Sequence, residues 1–400
     1  MTAVGLITEY NPFHNGHAYH LKQAKLVSGA DTVVAVMSGN FVQRGVPAIF
    51  DKWRRTEFAL AGGVDVVYEL PFAFAVQPAH IFANGAVQIL AAAGVDAIAF
   101  GAEHADWDFM ALALAAKEAV ADADEFHNYN QTFATSFNTV LKAKVGVELT
   151  EPNDLLGFSY ATAIIELGLA DQLQLYAIQR EAAQYHDETA TDATIASATA
   201  VRAMIDTADP KLADYVGANA AKLMAVGAQT KAWATTWFPL LRYKVLTTPN
   251  AQLEQLYQLN DGLAYRLYEV LDRLEDTQDA EQAWADFMTA YKSKRYTYAR
   301  IQRSLLYTIL NVTDQEMQVG LANPYLRVLG SSPRGRHFIN AHRDSGTLPI
   351  VHKVTSADIN GLIKLDYRAG RLYQLLAKPT WQNVRQDTGR IPVMKEETKE

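Results

Sequence analysis

Two histidines stand three residues apart in NPFHNGHAYH (11–20), with Gly16 between them and Pro12 ahead. In the first turn of a helix that spacing points His14 and His17 the same way. Two imidazoles on one side of a phosphate site can donate hydrogen bonds to the oxygens of a phosphorus under attack, stabilising its transition state. The helix N-terminus adds free N–H groups and a partial positive charge, and Gly16 lets the backbone approach closely. The same letters also fit a polar surface turn. A second candidate is TIASATAVRAMI (194–205). Ser197 and Thr199 can cap a helix starting near Ala200 and bind phosphate oxygens at once. Arg202, one turn in, suits β- and γ-phosphates as a bidentate donor. Alone, this is a capped helix with a surface arginine; with the first stretch it suits a triphosphate.

The elements that must position these residues alternate. AVGLITEY (3–10), DTVVAVMSG (31–39), VDVVYELP (64–71), VDAIAFGAE (95–103) and LQLYAIQR (173–180) read as strands. Helical patterns cover 17–28, 51–63, 78–94, 108–144 and 154–168, with Asp51 as an N-cap and Gly62 and Gly63 as a stop. Such alternation predicts an α/β fold with a parallel sheet covered on both faces. Both candidate stretches then sit where ligands bind in open α/β sheets, beyond the carboxyl ends of strands. Past about residue 205 the strand runs fade and amphipathic helices dominate. The acidic segment 268–287 reads as a solvated helical hairpin, and the tail VMKEETKE as disordered.

The chain has 400 residues, 49% hydrophobic and 20% charged, with net charge -8 and no cysteine. Disulfide scaffolds, thiolate metal sites and a cysteine nucleophile are excluded. The acidic balance argues against a protein that coats nucleic acid, not against a local basic patch. No signal-peptide pattern opens the chain and no run spans a membrane, so a cytoplasmic location is expected. No protein partner is evident.

One basic patch is YKSKRYTYARIQR (291–303), which holds Lys292, Lys294, Arg295, Arg300 and Arg303 and no acid. As a helix it puts Tyr296, Arg300, Arg303 and Tyr307 on one face and Tyr298, Ile301, Leu305 and Ile309 on the other. The first face could meet phosphates and unstacked bases. RVLGSSPRGRHFINAHR (327–343) adds Arg327, Arg334, Arg336 and Arg343, again without acid. The two runs are expected near each other. Asn40, Gln43 and Arg44 sit in a Gly-bounded loop that reads equally as a site or a turn. Asp51 with Lys52 reads as a cap beside a solvated lysine.

H-x-G-H after the first strand, paired with a late Ser/Thr-rich helix start carrying Arg, resembles the HIGH-motif nucleotidyltransferase superfamily. Further stretches, in order, resemble its tRNA(Met) cytidine acetate ligase family: 37–72, FGAEHAD (100–106), EPNDLLGFSY (151–160), IQREAAQYHD (178–187), IASATAVR (195–202) and KRYTYARIQRSLL (294–306). The resemblance implies a Rossmann-like HIGH-type catalytic domain over residues 1–205 that binds ATP, followed by a mostly α-helical tRNA-binding region over 206–400. It implies attack of acetate on the α-phosphate of ATP, giving acetyl-adenylate and pyrophosphate. The acetyl group then passes to the wobble cytidine of elongator tRNA(Met).

By the same resemblance the ATP site comprises Ile7, Thr8, Glu9, Tyr10, Asn11, Pro12, Phe13, His14, Asn15, Gly16, His17, Ala18, Tyr19 and His20. Gly101, Asn153, Arg180, Glu181, Ser197, Thr199 and Arg202 join them. His14 and His17 would act at the α-phosphorus, while Ser197, Thr199 and Arg202 would hold the leaving pyrophosphate. Mg²⁺ is expected to offset triphosphate charge. Lys292, Lys294, Arg295, Arg300, Arg303, Arg334 and Arg336 are the expected tRNA contacts. No base for the transfer step can be named from the sequence. Two rival readings stay open: a small-molecule adenylyltransferase, and a nucleotide-sensing RNA-binding protein without catalysis.

Overall fold

A computed structural model describes residues 1–121, 142, 146–180, 196–225, 233–275, 279–343 and 346–396. Its first half alternates as expected: β1 (Ala3–Thr8), α1 (Asn15–Ser28), β2 (Thr32–Ser38), α2 (Lys52–Ala61), β3 (Val66–Leu70), the short α3 (Phe72–Ala75), α4 (Ala79–Ala93), β4 (Ala97–Ala102), α5 (Phe109–Ala121), α6 (Pro152–Glu166), β5 (Gln174–Gln179) and α7 (Ala198–Asp206). The helical reading of 122–141 and 143–144 lies outside the described residues.

The sheet order is β5–β4–β1–β2–β3, all parallel. The chain runs outward from β1 through β2 to β3, then returns to β1's other side with β4, so the order reverses between β1 and β4. Every residue of β2 is buried. Val34 and Val36 join the core on one face, and Val33, Ala35 and Met37 the core on the other. Burial on both faces is why these strands read as continuous apolar runs.

The sequence reading missed three strands. β6 (Leu326–Ser331) pairs antiparallel with β3, and β7 (Ile350–Val351) and β8 (Val393–Met394) pair parallel with β6. LRVLGS carries Arg327, which reads as a solvated charge until its partners are known. Two-residue strands carry no period at all. Of the tail expected to be disordered, Val393 and Met394 instead pair with β6, and Lys395 N–H donates to Ser331 O (3.1 Å); 397–400 lie outside the described residues.

Beyond residue 205, helices Trp233–Leu246, Leu263–Asp272, Ala280–Tyr291 and Tyr298–Leu310 bury Trp237, Leu267, Phe287 and Leu305 in the same core as β2, β3 and α4. The acidic hairpin thus has a buried side.

Charge fastens the C-terminal segment to the sheet. Lys52 Nζ lies 2.8 Å from both Glu69 Oε1 and Asp387 Oδ1, and Arg327 Nη1 lies 2.6 Å from Asp387 Oδ1 and 3.1 Å from Glu69 Oε2. All four side chains are at most 3% exposed. Lys52, expected to be solvated, is instead at the centre of this cluster. Burial by itself would raise the Asp387 carboxyl, but Lys52 and Arg327 outweigh it and hold it below the usual carboxylate range. Asp387→Asn should leave two cations short of a partner and cost on the order of 3–5 kcal/mol of stability, read by urea unfolding. A loss under about 1 kcal/mol would show that the cluster is not what holds the segment down.

Candidate active site

A cleft of about 370 Å³ opens at the carboxyl ends of β1, β4 and β5. Ile7, Thr8, Glu9, Tyr10 and Asn11 form its floor, Gly101, Asn153 and Arg180 one wall, and Ser197, Thr199 and Arg202 another. Three helices, α1, α6 and α7, begin at its edge, so the positive ends of three helix dipoles meet there. The topology thus brings both sequence stretches to the point where the strand order reverses.

His14 caps α1. Gly16 N–H donates to His14 Nδ1 (3.1 Å), and His14 N–H donates to His17 Nδ1 (3.2 Å). The rings lie 3.9 Å apart. Because each Nδ1 accepts from backbone, each ring carries its proton on Nε2. Burial, then Arg180 and Arg202, lower His14 to about 3. Burial and the neighbouring His14, His20 and Arg180 hold His17 well below its ordinary value. Burial and Arg180 lower His20 to about 4. At neutral pH the pair is therefore two uncharged, fixed Nε2–H donors. Such groups hydrogen-bond oxygen without titrating.

Across the cleft, Ser197 Oγ accepts from Ala200 N–H (3.1 Å) and caps α7. Arg202 donates to Thr199 Oγ1 (2.8 Å) and to Asn11 O (2.9 Å). It therefore ties the two stretches together as well as charging the cleft. Of the expected ATP residues, Pro12, Phe13, Asn15 and Ala18 do not line the cleft. Phe13 is in the core against Tyr10, and Asn15 donates to Asp214 O (2.8 Å). Glu181 lies outside the described residues.

Sequence reasoning missed Glu103. Its carboxylate accepts from Asn153 N–H (3.1 Å), Asn153 Nδ2 (2.5 Å) and Asp154 N–H (3.1 Å), and lies 3.7 Å from Arg180. One acid at the start of α6 thus places two cleft residues. FGAEHAD offered an acid after a strand, but nothing local says which way it turns. In the polar loop, Gln43 and Arg44 line the cleft, while Asn40 is buried against Lys52 N–H and Gln386.

The basic helix corrects another expectation. Tyr298–Leu310 does not leave one face open: Arg303 and Tyr307 are buried, and Tyr307 donates its hydroxyl to Val76 O. Arg303 backs onto Gly45, where a Cβ would stand 2.9 Å from its Cα, and Gly45 sits at φ +81°. Only glycine fits that approach. Lys292, Lys294, Arg295 and Arg300 keep solvent access, with Arg300 over the Tyr296 ring at 4.4 Å.

The two basic runs are also not neighbours. Arg334 donates to Asp31 O (2.6 Å), at the amino end of β2, and Arg336 follows in the same helix. Gly45 lies in the loop past the carboxyl end of β2, so the runs are separated by about 20 Å of strand. Arg327 is the buried ion-pair partner described above.

A family model described as HIGH Nucleotidyl Transferase matches residues 1–388. Among curated relatives, the tRNA(Met) cytidine acetate ligase of Leuconostoc citreum is 47% identical over 395 residues, covering 98% of this chain and 97% of that one. The enzyme of the same name from Limosilactobacillus reuteri is 43% identical over 397 residues, covering 98% and 100%. Among solved structures, apo Thermotoga maritima TmcAL is 27% identical with a TM-score of 0.85, covering 98% of this chain and 99% of that one. TmcAL bound with alpha-thio ATP is 28% identical with a TM-score of 0.83 and the same coverage.

Two outcomes are expected of this cleft. Arg202→Ala should weaken ATP binding by about 1.5–3 kcal/mol in calorimetry, the value of charged hydrogen bonds; unchanged affinity would remove Arg202 from the site. The histidines should also make the fold acid-sensitive. Between pH 6.5 and about 4 the unfolded chain binds protons that the native imidazoles refuse, so stability falls as pH falls. The slope is at most about 1.4 kcal/mol per pH unit for each histidine. His14→Asn and His20→Asn should each flatten it in urea unfolding series, and an unchanged slope would show that these rings titrate alike folded and unfolded.

Proposed function

The chain belongs to the HIGH nucleotidyl transferase family and, within it, to the tRNA(Met) cytidine acetate ligases; on that premise we propose how its cleft joins acetate to ATP. Acetate, ionised at neutral pH, attacks the α-phosphorus, and pyrophosphate leaves. The acetyl group of acetyl-adenylate passes to the exocyclic amine of the wobble cytidine of elongator tRNA(Met), giving N4-acetylcytidine. The observation that carries the first step is the pair of neutral Nε2–H donors at the start of α1, set across the cleft from Arg202. Donors that are fixed before reaction stabilise charge as it develops, without reorganising. Arg202, Ser197 and Thr199, at the start of α7, suit the departing pyrophosphate.

Mg²⁺ is part of the proposal, carried in with the triphosphate. The described residues include no group of three His, Cys, Asp or Glu side chains able to cage a cation. Phosphate oxygens and water would supply most of its ligands, as is usual for this ion.

The division of work runs along the chain. Residues 1–205 supply the adenylate chemistry, and the region from 206 supplies the approach for tRNA. Lys292, Lys294, Arg295 and Arg300 are the proposed phosphate contacts, in and just before the first turn of the helix that packs against the β2 loop. Arg303 supports them from inside, whereas Arg334 and Arg336 lie at the far end of the sheet and would meet only a distant part of a large RNA. No described helix is long and apolar enough to cross a membrane; a tRNA substrate supports a cytoplasmic site of action.

Exchange of labelled pyrophosphate into ATP tests the reading. Exchange should require acetate and proceed without tRNA. His17→Ala should lower it about a hundredfold or more, as for loss of one preorganised donor. Arg300→Glu should instead weaken tRNA binding as its larger defect. With about four phosphates contacted, log K should fall against log salt with a slope near roughly -3. Exchange indifferent to acetate, or a flat salt titration, would overturn the corresponding half.

A further inference from the structure

The transfer step needs a group to take a proton from the attacking amine, and the cleft offers few. Among the described residues that line it, Glu9 is the one carboxylate. His14 and His17 are not available, because each Nδ1 already accepts from backbone and each Nε2 carries a proton. His20 Nε2 is enclosed and out of contact with solvent. Burial pushes the Tyr160 hydroxyl far above neutrality.

Position sorts the carboxylate from the nucleotide residues. Gly101, Asn153 and Arg180 lie on the β4 and β5 side of β1. Glu9 leans to the other side, where its Oε1 accepts from Gln43 N–H (3.0 Å) in the loop after β2. That loop carries Gly45, against which the basic helix packs through Arg303. Glu9 is therefore linked, through that loop, to the helix whose first turn is proposed to receive RNA. A carboxylate is also a poor neighbour for a triphosphate, so its presence on the floor of an ATP cleft calls for another task.

We propose that Glu9 is the proton acceptor of the acetyl-transfer step. The inference rests on the acetate-ligase reading given above. The cytidine N4 attacks the carbonyl carbon of acetyl-adenylate and forms the C–N bond. Glu9 takes a proton from that nitrogen. The bond from the carbonyl carbon to the phosphate oxygen breaks, and AMP leaves with the electron pair. Glu9 then returns its proton to solvent. Four groups face this carboxylate: Arg55 from α2, Arg44 from the β2 loop, Arg202 from α7 and Tyr160 from α6. Burial raises Glu9 above the usual carboxylate range against the pull of the Gln43 N–H and the three guanidiniums. A carboxylate raised above its usual range accepts a proton more readily than an ordinary one.

The test uses the full-length enzyme loaded with ATP and acetate, then mixed with excess tRNA(Met) transcript, so that one round of acetyl transfer is timed across pH. Wild type should show a rate that rises with pH and levels off. Glu9→Gln, checked for an unchanged melting profile, should lose that rising limb and slow transfer about a hundredfold or more. Its defect in acetate-dependent pyrophosphate exchange should be at least about tenfold smaller than its transfer defect. Glu9→Asp should restore part of the transfer rate and the limb. Transfer within about threefold of wild type in Glu9→Gln would overturn the proposal. So would equal loss of exchange and transfer, which would put the carboxylate in the adenylate-forming step. A wild type without acetate-dependent exchange would instead overturn the acetate-ligase reading itself.

Discussion

Four buried charges that cancel one another, Lys52, Glu69, Arg327 and Asp387, carry the rest of the structure. Two come from the parallel sheet and its α2 helix, and two from the last 80 residues of the chain. Charges of this kind are tolerable out of water only when each finds its partner. The hydrogen bonds continue outward from them. Lys52 N–H donates to Asn40, Asn40 donates to Gln386, and Trp53 Nε1 donates to Gln386 O (2.8 Å). The loop that starts at Asn40 is the one whose Gln43 holds Glu9 in the cleft. The C-terminal segment thus shapes the cleft without lining it.

Inside the cleft, charge and geometry are divided between residue types. Arg180 and Arg202 supply the positive potential, and they are also part of what keeps the imidazoles neutral. Neutral rings with backbone-locked tautomers give direction instead of charge. The cleft can therefore attract a polyanion while its histidines stay uncharged. Glu103 does the same work one step back, setting Asn153 and the start of α6 against Arg180.

The basic helix shows why a run of cations is weak information by itself. Its Arg303 and Tyr307 serve packing, because the helix lies against helices Trp233–Leu246 and Lys364–Leu376, Val76 and the β2 loop, and it is chiefly its first turn and the segment before it that reach water. What survives as a candidate RNA contact is the part that precedes burial. Its tie to the cleft is Arg303, which packs against Gly45 in the loop whose Gln43 and Arg44 line that cleft.

Much of this was legible in the residues. Alternating apolar runs and helix signals were enough for five parallel strands and the helices between them, since burial on both faces writes itself as uninterrupted Val, Ile and Ala. His14, His17, Ser197 and Arg202 were legible because their chemistry is local to two helix starts. The remainder depended on contacts distant in sequence. β6 was hidden because Arg327 reads as a surface charge until Glu69 and Asp387 stand beside it, some 60 residues away on one side and far more on the other. Lys52 was misread for the same reason. The direction of Glu9 and Glu103, the burial of Arg303 and the separation of the two basic runs are all decided by which strand ends meet. A chain can announce which residues are able to bind phosphate or give up a proton; only the packed sheet decides which of them face one another, because a charge declares its role through its partner.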